Sequence, residues 1–408
     1  VRLPAIPVYV GLLFVESVAS MLTFTVTNLY FVTELGMSPL ALVLCGTAME
    51  LAIFLFEVPT GVVADTISRR TSIVISYVVI GVAVLLFGLV ESVPLVIAAY
   101  GLWGIGYTFQ SGAFDAWIAD EVGTDRLTRI VLRGAQAGWA GALLGVVLST
   151  LVGGVSLRGA IVAGGVVMLA IAVALALVMP ETGFRPHRTP EEGGIRAFTA
   201  TATRGARAVR GHPMLLLLLG IAFAYGAWTE SFDRLWVAQF LAIGLPLGVV
   251  DVTAIGILTG VAFVAGIATS EVAARRLGDA PTRTLARVLA VLNAMLLVAA
   301  VGFALAGSFV LACAAYLVLV GVRSLVAPLT SVWVNRTIED SSVRATTLSV
   351  VSQADAVGQV TGGPAIGGIA TAFSLRAGLG VGALLLAPAL VLYGRALRRL
   401  PHADETTC

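Results

Sequence analysis

Nine charged residues sit inside stretches that are otherwise apolar, and these are the places where chemistry is possible. Counting inward from the ends of those stretches, Glu16, Glu50, Arg323 and Asp355 fall near the middle. Glu230, Asp233 and Arg234 lie nearer one end, and Glu57 and Asp115 nearer the other. A carboxylate removed from water favours its protonated form, so Glu16, Glu50 or Asp355 could take up and release protons. Each charge also has a plainer reading, as half of an ion pair that locks two helices. The set is mostly acidic, which favours a site for a cation or a proton. Asp233 and Arg234 are adjacent and cannot face each other on a helix, so both are expected to pair with other segments. Arg323 is expected to balance part of the charge of Glu16, Glu50 and Asp355, and the acid most remote from it is the expected proton carrier. Trp228 and Trp236 flank Glu230 and Asp233, a combination of aromatic faces and acids that fits a cationic or amphiphilic molecule.

Other chemistries are excluded by what is missing. All 25 basic residues are Arg, so there is no Lys for a P-loop or a Schiff base. Cys45 and Cys313 lie in apolar runs and Cys408 is the last residue, which gives neither a disulfide framework nor a C-x-x-C site. His187, His212 and His402 fall in polar connections, where solvated side chains are the default. No His/Asp/Glu cluster has metal-ligand spacing. We therefore expect no enzyme activity, no metal, no cofactor and no nucleic-acid partner.

The elements that hold these charges follow from composition. The chain of 408 residues is 58% apolar and 12% charged, with a formal net charge of +2. Soluble domains carry about a quarter of their residues as Asp, Glu, Lys and Arg. Apolar runs long enough to cross a hydrocarbon core of ~30 Å recur along the chain, without the alternating pattern of a membrane barrel. The fold class is an all-α membrane protein of twelve spans, expected near 5–34, 39–62, 71–91, 94–120, 130–155, 159–180, 213–243, 249–273, 284–307, 309–335, 344–373 and 376–397. The first run lacks a small-residue cleavage pattern and reads as a span, not a leader. A charge at the bilayer centre costs roughly 2.5–3.5 kcal/mol, so the charges above must face a cavity or a partner. Trp117 and Trp333, close to span ends, read as interface anchors.

One long polar connection, 181–212, divides the chain into an N-terminal six-helix half (1–180) and a C-terminal half (213–400), followed by a short tail (401–408). Placing both termini, the even-to-odd connections and this central loop on one side gathers 21 of the 25 Arg there, against Arg158 and Arg376 on the other. Positive charge is retained in the cytoplasm, so both termini and the central loop are expected there, in a cell membrane. The halves echo one another. Gln136-Ala137 with Gly141 and Gly145 matches Gln353-Ala354 with Gly358 and Gly362 at an offset of 217, and Trp117 matches Trp333 at 216.

After the second span comes Gly61-Val62-Val63-Ala64-Asp65-Thr66-Ile67-Ser68-Arg69-Arg70. The run resembles the G-x-x-x-D-R-x-G-R-R/K loop of the major facilitator superfamily, with Gly61, Asp65, Arg69 and Arg70 in place and Thr66 and Ser68 departing from it. Pro180-Glu181-Thr182 is similar to the family's motif at the end of span six. The resemblance implies two six-helix halves around a central cavity. It also implies a cytoplasmic gate in which Asp65 and Arg69 interlock with an acid at the end of span four, here Asp120, and Asp65 lies near the start of span eleven, whose helix dipole favours an anion. Such exposed pairs contribute about 1 kcal/mol or less, which suits a latch that biases two states. Gly358, Gly362, Pro364 and Gly367 resemble the G-x-x-x-G-P-x-x-G-G run of the drug-antiporter branches, with one Gly inserted and in the other half. Two readings stay open for them: close helix packing at the seam between the halves, or an antiporter signature. Where proton-coupled antiporters carry an Arg in span four, this chain has Tyr100, so coupling is expected to rest on Glu16, Glu50 or Asp355. The expected function is proton-coupled efflux of a small hydrophobic or cationic drug or metabolite by a monomer in the lipid bilayer. A facilitator-type importer of a polar metabolite is the alternative, against which mid-span Asn, Gln and His are scarce.

Overall fold

A computed structural model of the chain describes residues 2–185, 213–246, 250–277, 280–337 and 341–400. The central connection from residue 186, on which part of the Arg asymmetry rests, and the tail from residue 401 lie outside the described residues. Among those described, helices are α1 (Ala5–Thr33), α2 (Pro39–Thr66), α3 (Arg69–Leu89), α4 (Val93–Gln110), α5 (Ala113–Val122), α6 (Thr124–Gly153) and α7 (Leu157–Val178). There follow α8 (Pro213–Ile243), α9 (Asp251–Leu277), α10 (Thr282–Leu305), α11 (Phe309–Thr337), α12 (Ser341–Ala372), α13 (Leu375–Leu384) and α14 (Ala387–Arg399). Serines at three starts accept from the backbone N–H three residues on: Ser68 from Thr71, Ser156 from Gly159 and Ser374 from Ala377.

Among the described residues, ten helical segments are long and apolar enough to cross a membrane. Large apolar side chains such as Val298, Val310 and Leu177 remain exposed on them, an arrangement that lipid covers and water would oppose. The expected fourth and eleventh spans are not among the ten. The eleventh is α12, whose Ser, Thr, Gln and Asp residues lower its hydropathy. The fourth is not continuous as the sequence reading had it. It breaks between α4 and α5 at Gly112, whose φ of +71° is open to glycine and strained for other residues. Span twelve likewise divides into α13 and α14, the second beginning at Ala387 and carrying in its first turn Pro388, which has no N–H to give the preceding turn.

Two units emerge from the packing. The first comprises 1–37, 48–198 and 249–259, and the second 38–47, 199–248 and 260–408. In the first, α6 lies on α1 so closely that a Cβ at Gly141 would strike the carbonyl oxygen of Phe14, and one at Gly145 that of Val18. In the second, α12 lies on α8 in the same way, with Gly358 against the Phe223 carbonyl and Gly362 against Ala227. The matched Gln-Ala-Gly runs thus do matched work, seating α6 on α1 and α12 on α8. Gly367 of the same stripe meets Leu40 and Val43 of the α2 segment that belongs to the second unit, and α12 runs unbroken through Pro364.

Trp117 and Trp333 are also a matched pair, but not as lipid-interface anchors. Both are fully buried, Trp117 donating to the Pro180 carbonyl at 2.8 Å and Trp333 lying 5.7 Å from the Tyr393 ring. An anchor must reach the headgroups. These two instead fasten the end of span four to that of span six, and the end of span ten to that of span twelve.

Candidate functional site

The loop between α2 and α3 is held by acids from far along the chain. Glu181 of the Pro-Glu-Thr run sits at the α3 N-terminus, where Oε2 accepts from the Ser68 hydroxyl at 2.8 Å and Oε1 from the Arg70 N–H at 2.9 Å. An anion there satisfies an orphan donor and meets the positive end of the helix. Arg69 donates to the Asp120 carboxylate and, at 2.7 Å, to the Ala116 carbonyl, and its guanidinium lies 5.7 Å from the Phe184 ring. Arg70 donates to the Ala176 carbonyl. Asp65 stands 3.9 Å from Arg69 with its side chain 62% exposed. Gly61 has open space around it. Glu121 accepts from the Thr182 N–H at 2.5 Å, the Thr182 hydroxyl at 2.8 Å and the Gly183 N–H at 2.8 Å. The sequence reading named Asp65, Arg69, Arg70 and Asp120 but missed Glu121, and it noted Glu181 without a role. The signal for both was present, as acids beside backbone that no helix satisfies.

Deeper in the first unit, acids and aromatic rings lie together. Glu16 on α1 accepts from Gln110 at 3.3 Å and from the Tyr77 hydroxyl. Glu57 accepts from Ser111 at 3.0 Å. The carboxylates of Glu16, Glu50, Glu57 and Asp115 all lie within electrostatic reach of Tyr107, whose ring stacks on Trp103 at 5.6 Å. Among the described residues, Glu16, Glu57 and Asp115 form no ion pair. Tyr100, at the position of the antiporter Arg, is 2% exposed and stacks on Phe87 at 4.3 Å, so it serves as core packing.

The second unit pairs its charges. Arg323 of α11 grips Asp233 of α8 through both guanidinium nitrogens, the Nη2 to Oδ2 bond being 2.6 Å, and its charge lies 5.9 Å from the Trp228 ring. Asp233 therefore pairs across helices. Arg234 donates from Nε to Glu230 Oε1 at 2.9 Å on its own helix, because residues four apart share one face. The Glu230 side chain is 3% exposed and lies against Gly46. Asp355 accepts from Gln359 at 2.8 Å and lies within electrostatic reach of Arg323, whose direct partner is Asp233 and not the expected trio of acids. No group of three or more metal-binding side chains gathers among the described residues.

Helices of this length and apolarity, arranged in two similarly packed units, define a multi-pass membrane protein. The Major Facilitator Superfamily profile matches residues 8–313, and the chain belongs to that superfamily. It is 30% identical over 93 residues to an uncharacterized MFS-type transporter of Bacillus subtilis (strain 168), YxaM, an alignment spanning 23% of each protein. The nucleoside transporter NupG has a similar structure, with a TM-score of 0.77 at 12% identity, covering 98% of this chain and 100% of that one. So has a bacterial homolog of the lysosomal transporter Spinster, in an inward-facing and unoccupied conformation, with a TM-score of 0.71 at 15% identity and coverage of 97% and 96%. A POT family transporter in complex with 5-aminolevulinic acid gives 0.72 at 13%, with coverage of 96% and 95%. At such identities the likeness concerns the fold. The chain is a transporter and not an enzyme.

Proposed function

We propose that this chain is a proton-coupled exporter of a small hydrophobic or cationic compound, working by alternating access from a cell membrane as a monomer with both termini cytoplasmic. The observation that supports this reading is the cluster of Glu16, Glu50, Glu57 and Asp115 about the stacked Tyr107 and Trp103. Aromatic faces attract a cation, and acids placed within the spans give it or a proton a counter-charge. A compound and protons that compete for the same acids are exchanged, not carried together.

Alternating access also needs a latch, and the loop of Gly61, Asp65, Arg69 and Arg70 with Asp120 fills that role in this reading. An exposed acid such as Asp65 supplies only a small bias, as a switch between nearly equal states requires. The test is transport in reconstituted vesicles with and without an imposed pH gradient, against a panel of organic cations, neutral hydrophobic compounds and polar metabolites. Gradient-driven movement of cations against their own concentration supports the proposal. Movement of polar metabolites alone, indifferent to the gradient, would replace it with an ion-independent facilitator.

A further inference from the structure

Between α10 and α11 of the second unit runs an open groove of about 780 Å³, lined by apolar residues throughout. Small residues, Ala294 and Gly302 on α10 and Ala314 and Ala315 on α11, leave the hollow, and the larger Val298 and Leu311 beside them stand exposed. On α10 the lining runs from Val291 to Leu305, about 21 Å of helix at 1.5 Å per residue. Half of a ~30 Å hydrocarbon core is about 15 Å deep. The groove therefore follows the helices through the depth of one leaflet, the direction in which lipid chains lie.

A charge stands at one end of it. Arg376, the second residue of α13, donates from Nη2 to the carbonyl of Ala306, itself a groove residue, at 3.3 Å. Its side chain is exposed, and among the described residues it forms no ion pair. In the proposed topology Arg158 and Arg376 are the two Arg on the side opposite the cytoplasm, where positive charge is disfavoured. Arg158 is matched there by Glu91 at 2.7 Å. Arg376 meets the carbonyl end of α10, and such an end carries about half an elementary charge. Neither Ala306-Gly307-Ser308, between α10 and α11, nor Phe373-Ser374, before α13, supplies an acid. Part of the guanidinium charge is therefore left for a counter-charge from outside the chain.

We propose that the groove and Arg376 together hold one anionic phospholipid of the outer leaflet, an acyl chain filling the hollow and the phosphate meeting the guanidinium. A neutral lipid would fill the groove and leave the charge. A free anion would meet the charge and leave the groove. A second copy, related by a twofold axis along the membrane normal, would bring its own Arg376 to the same depth, like charge to like. The site is independent of the direction and coupling of transport proposed above. Only the choice of leaflet rests on the proposed topology, and a reversed topology would move the lipid to the other leaflet without releasing it.

The test is native mass spectrometry of the purified full chain, released from nanodiscs of phosphatidylglycerol and phosphatidylcholine with matched chains in equal amounts. An Arg near a membrane surface favours an anionic lipid by about fivefold. The wild type should therefore retain one firmly held lipid, enriched about fivefold in phosphatidylglycerol. In Arg376→Gln that lipid should lose its enrichment, and in Arg376→Lys keep most of it. Gly302→Leu, whose Cβ would meet nothing nearer than the Ala315 Cβ at 4.0 Å, should fold and retain one lipid fewer. A diazirine on the acyl chain of phosphatidylglycerol, located by peptide mass spectrometry, should crosslink within residues 291–318 of the wild type. Equal enrichment in the wild type and Arg376→Gln would overturn the proposal, as would crosslinks confined to other helices. A dimer without lipid in the wild type would give the groove to a second copy and overturn it equally. Should Gly302→Leu fail to fold, the two Arg376 variants and the crosslinks decide the matter.

Discussion

Gly46 offers a test in which two effects of known size oppose each other. It lies within α2, where Ala is favoured over Gly by about 1 kcal/mol on helix propensity alone. Its neighbour across the packing is the buried Glu230 to Arg234 pair. A Cβ at position 46 would occupy the space of the Glu230 carboxylate oxygen and come within 2.6 Å of Arg234 Nε. The carboxylate must then turn away from its guanidinium, in a place where its side chain is 3% exposed and water cannot replace the bond. A hydrogen bond to a charged group contributes about 1.5–3 kcal/mol, so the net effect of Gly46→Ala is a destabilisation of about 0.5–2 kcal/mol. The assay is thermal unfolding of the purified protein in detergent, comparing Gly46→Ala, Glu230→Ala and the double substitution. Glu230→Ala alone should be strongly destabilised, because it leaves Arg234 buried without that partner. In the double substitution the added Cβ meets no carboxylate, so the two losses should not add. A Gly46→Ala protein as stable as the wild type, or more so, would refute the reasoning, since propensity would then have won over the contact.

Two further outcomes follow from the packing. Glu181→Ala should lower stability by about 1–2 kcal/mol through loss of the Ser68 and Arg70 contacts, and Glu181→Gln, which keeps a shorter list of acceptors, should lose less; equal effects in thermal unfolding would mean that the carboxylate caps nothing. Gly141→Leu and Gly358→Leu should each abolish a well-folded monodisperse peak in size-exclusion chromatography, whereas Gly61→Leu, with open space around it, should not.

The fold was legible because its main determinant is additive. Length and apolarity of a run decide whether it can span, and no knowledge of neighbours is needed. The breaks were harder. Gln110-Ser111-Gly112 was a visible interruption in span four, but only the positive φ at Gly112 turns it into a division of the helix. Side-chain roles were less legible still. Trp117 and Trp333 look like interface anchors in a linear sequence because hydropathy does not say whether a ring faces lipid or protein. The Glu230 to Arg234 pair could have been read from its spacing of four. The Asp233 to Arg323 pair joins residues 90 apart, and sequence separation carries no information about it.

The cap on α3 also bears on how the chain is made. The Ser68–Arg70 turn is completed by Glu181, which follows Arg70 by 111 residues. At about 5–20 residues per second, the ribosome reaches that glutamate some 6–20 seconds later. Until then the start of α3 has Ser68 alone to meet its free N–H groups. In the order of synthesis, closing this turn is a late event, and it cannot occur before α7, the sixth span, has been delivered. The glutamate thus joins an early turn to the last residues of the segment that supports it.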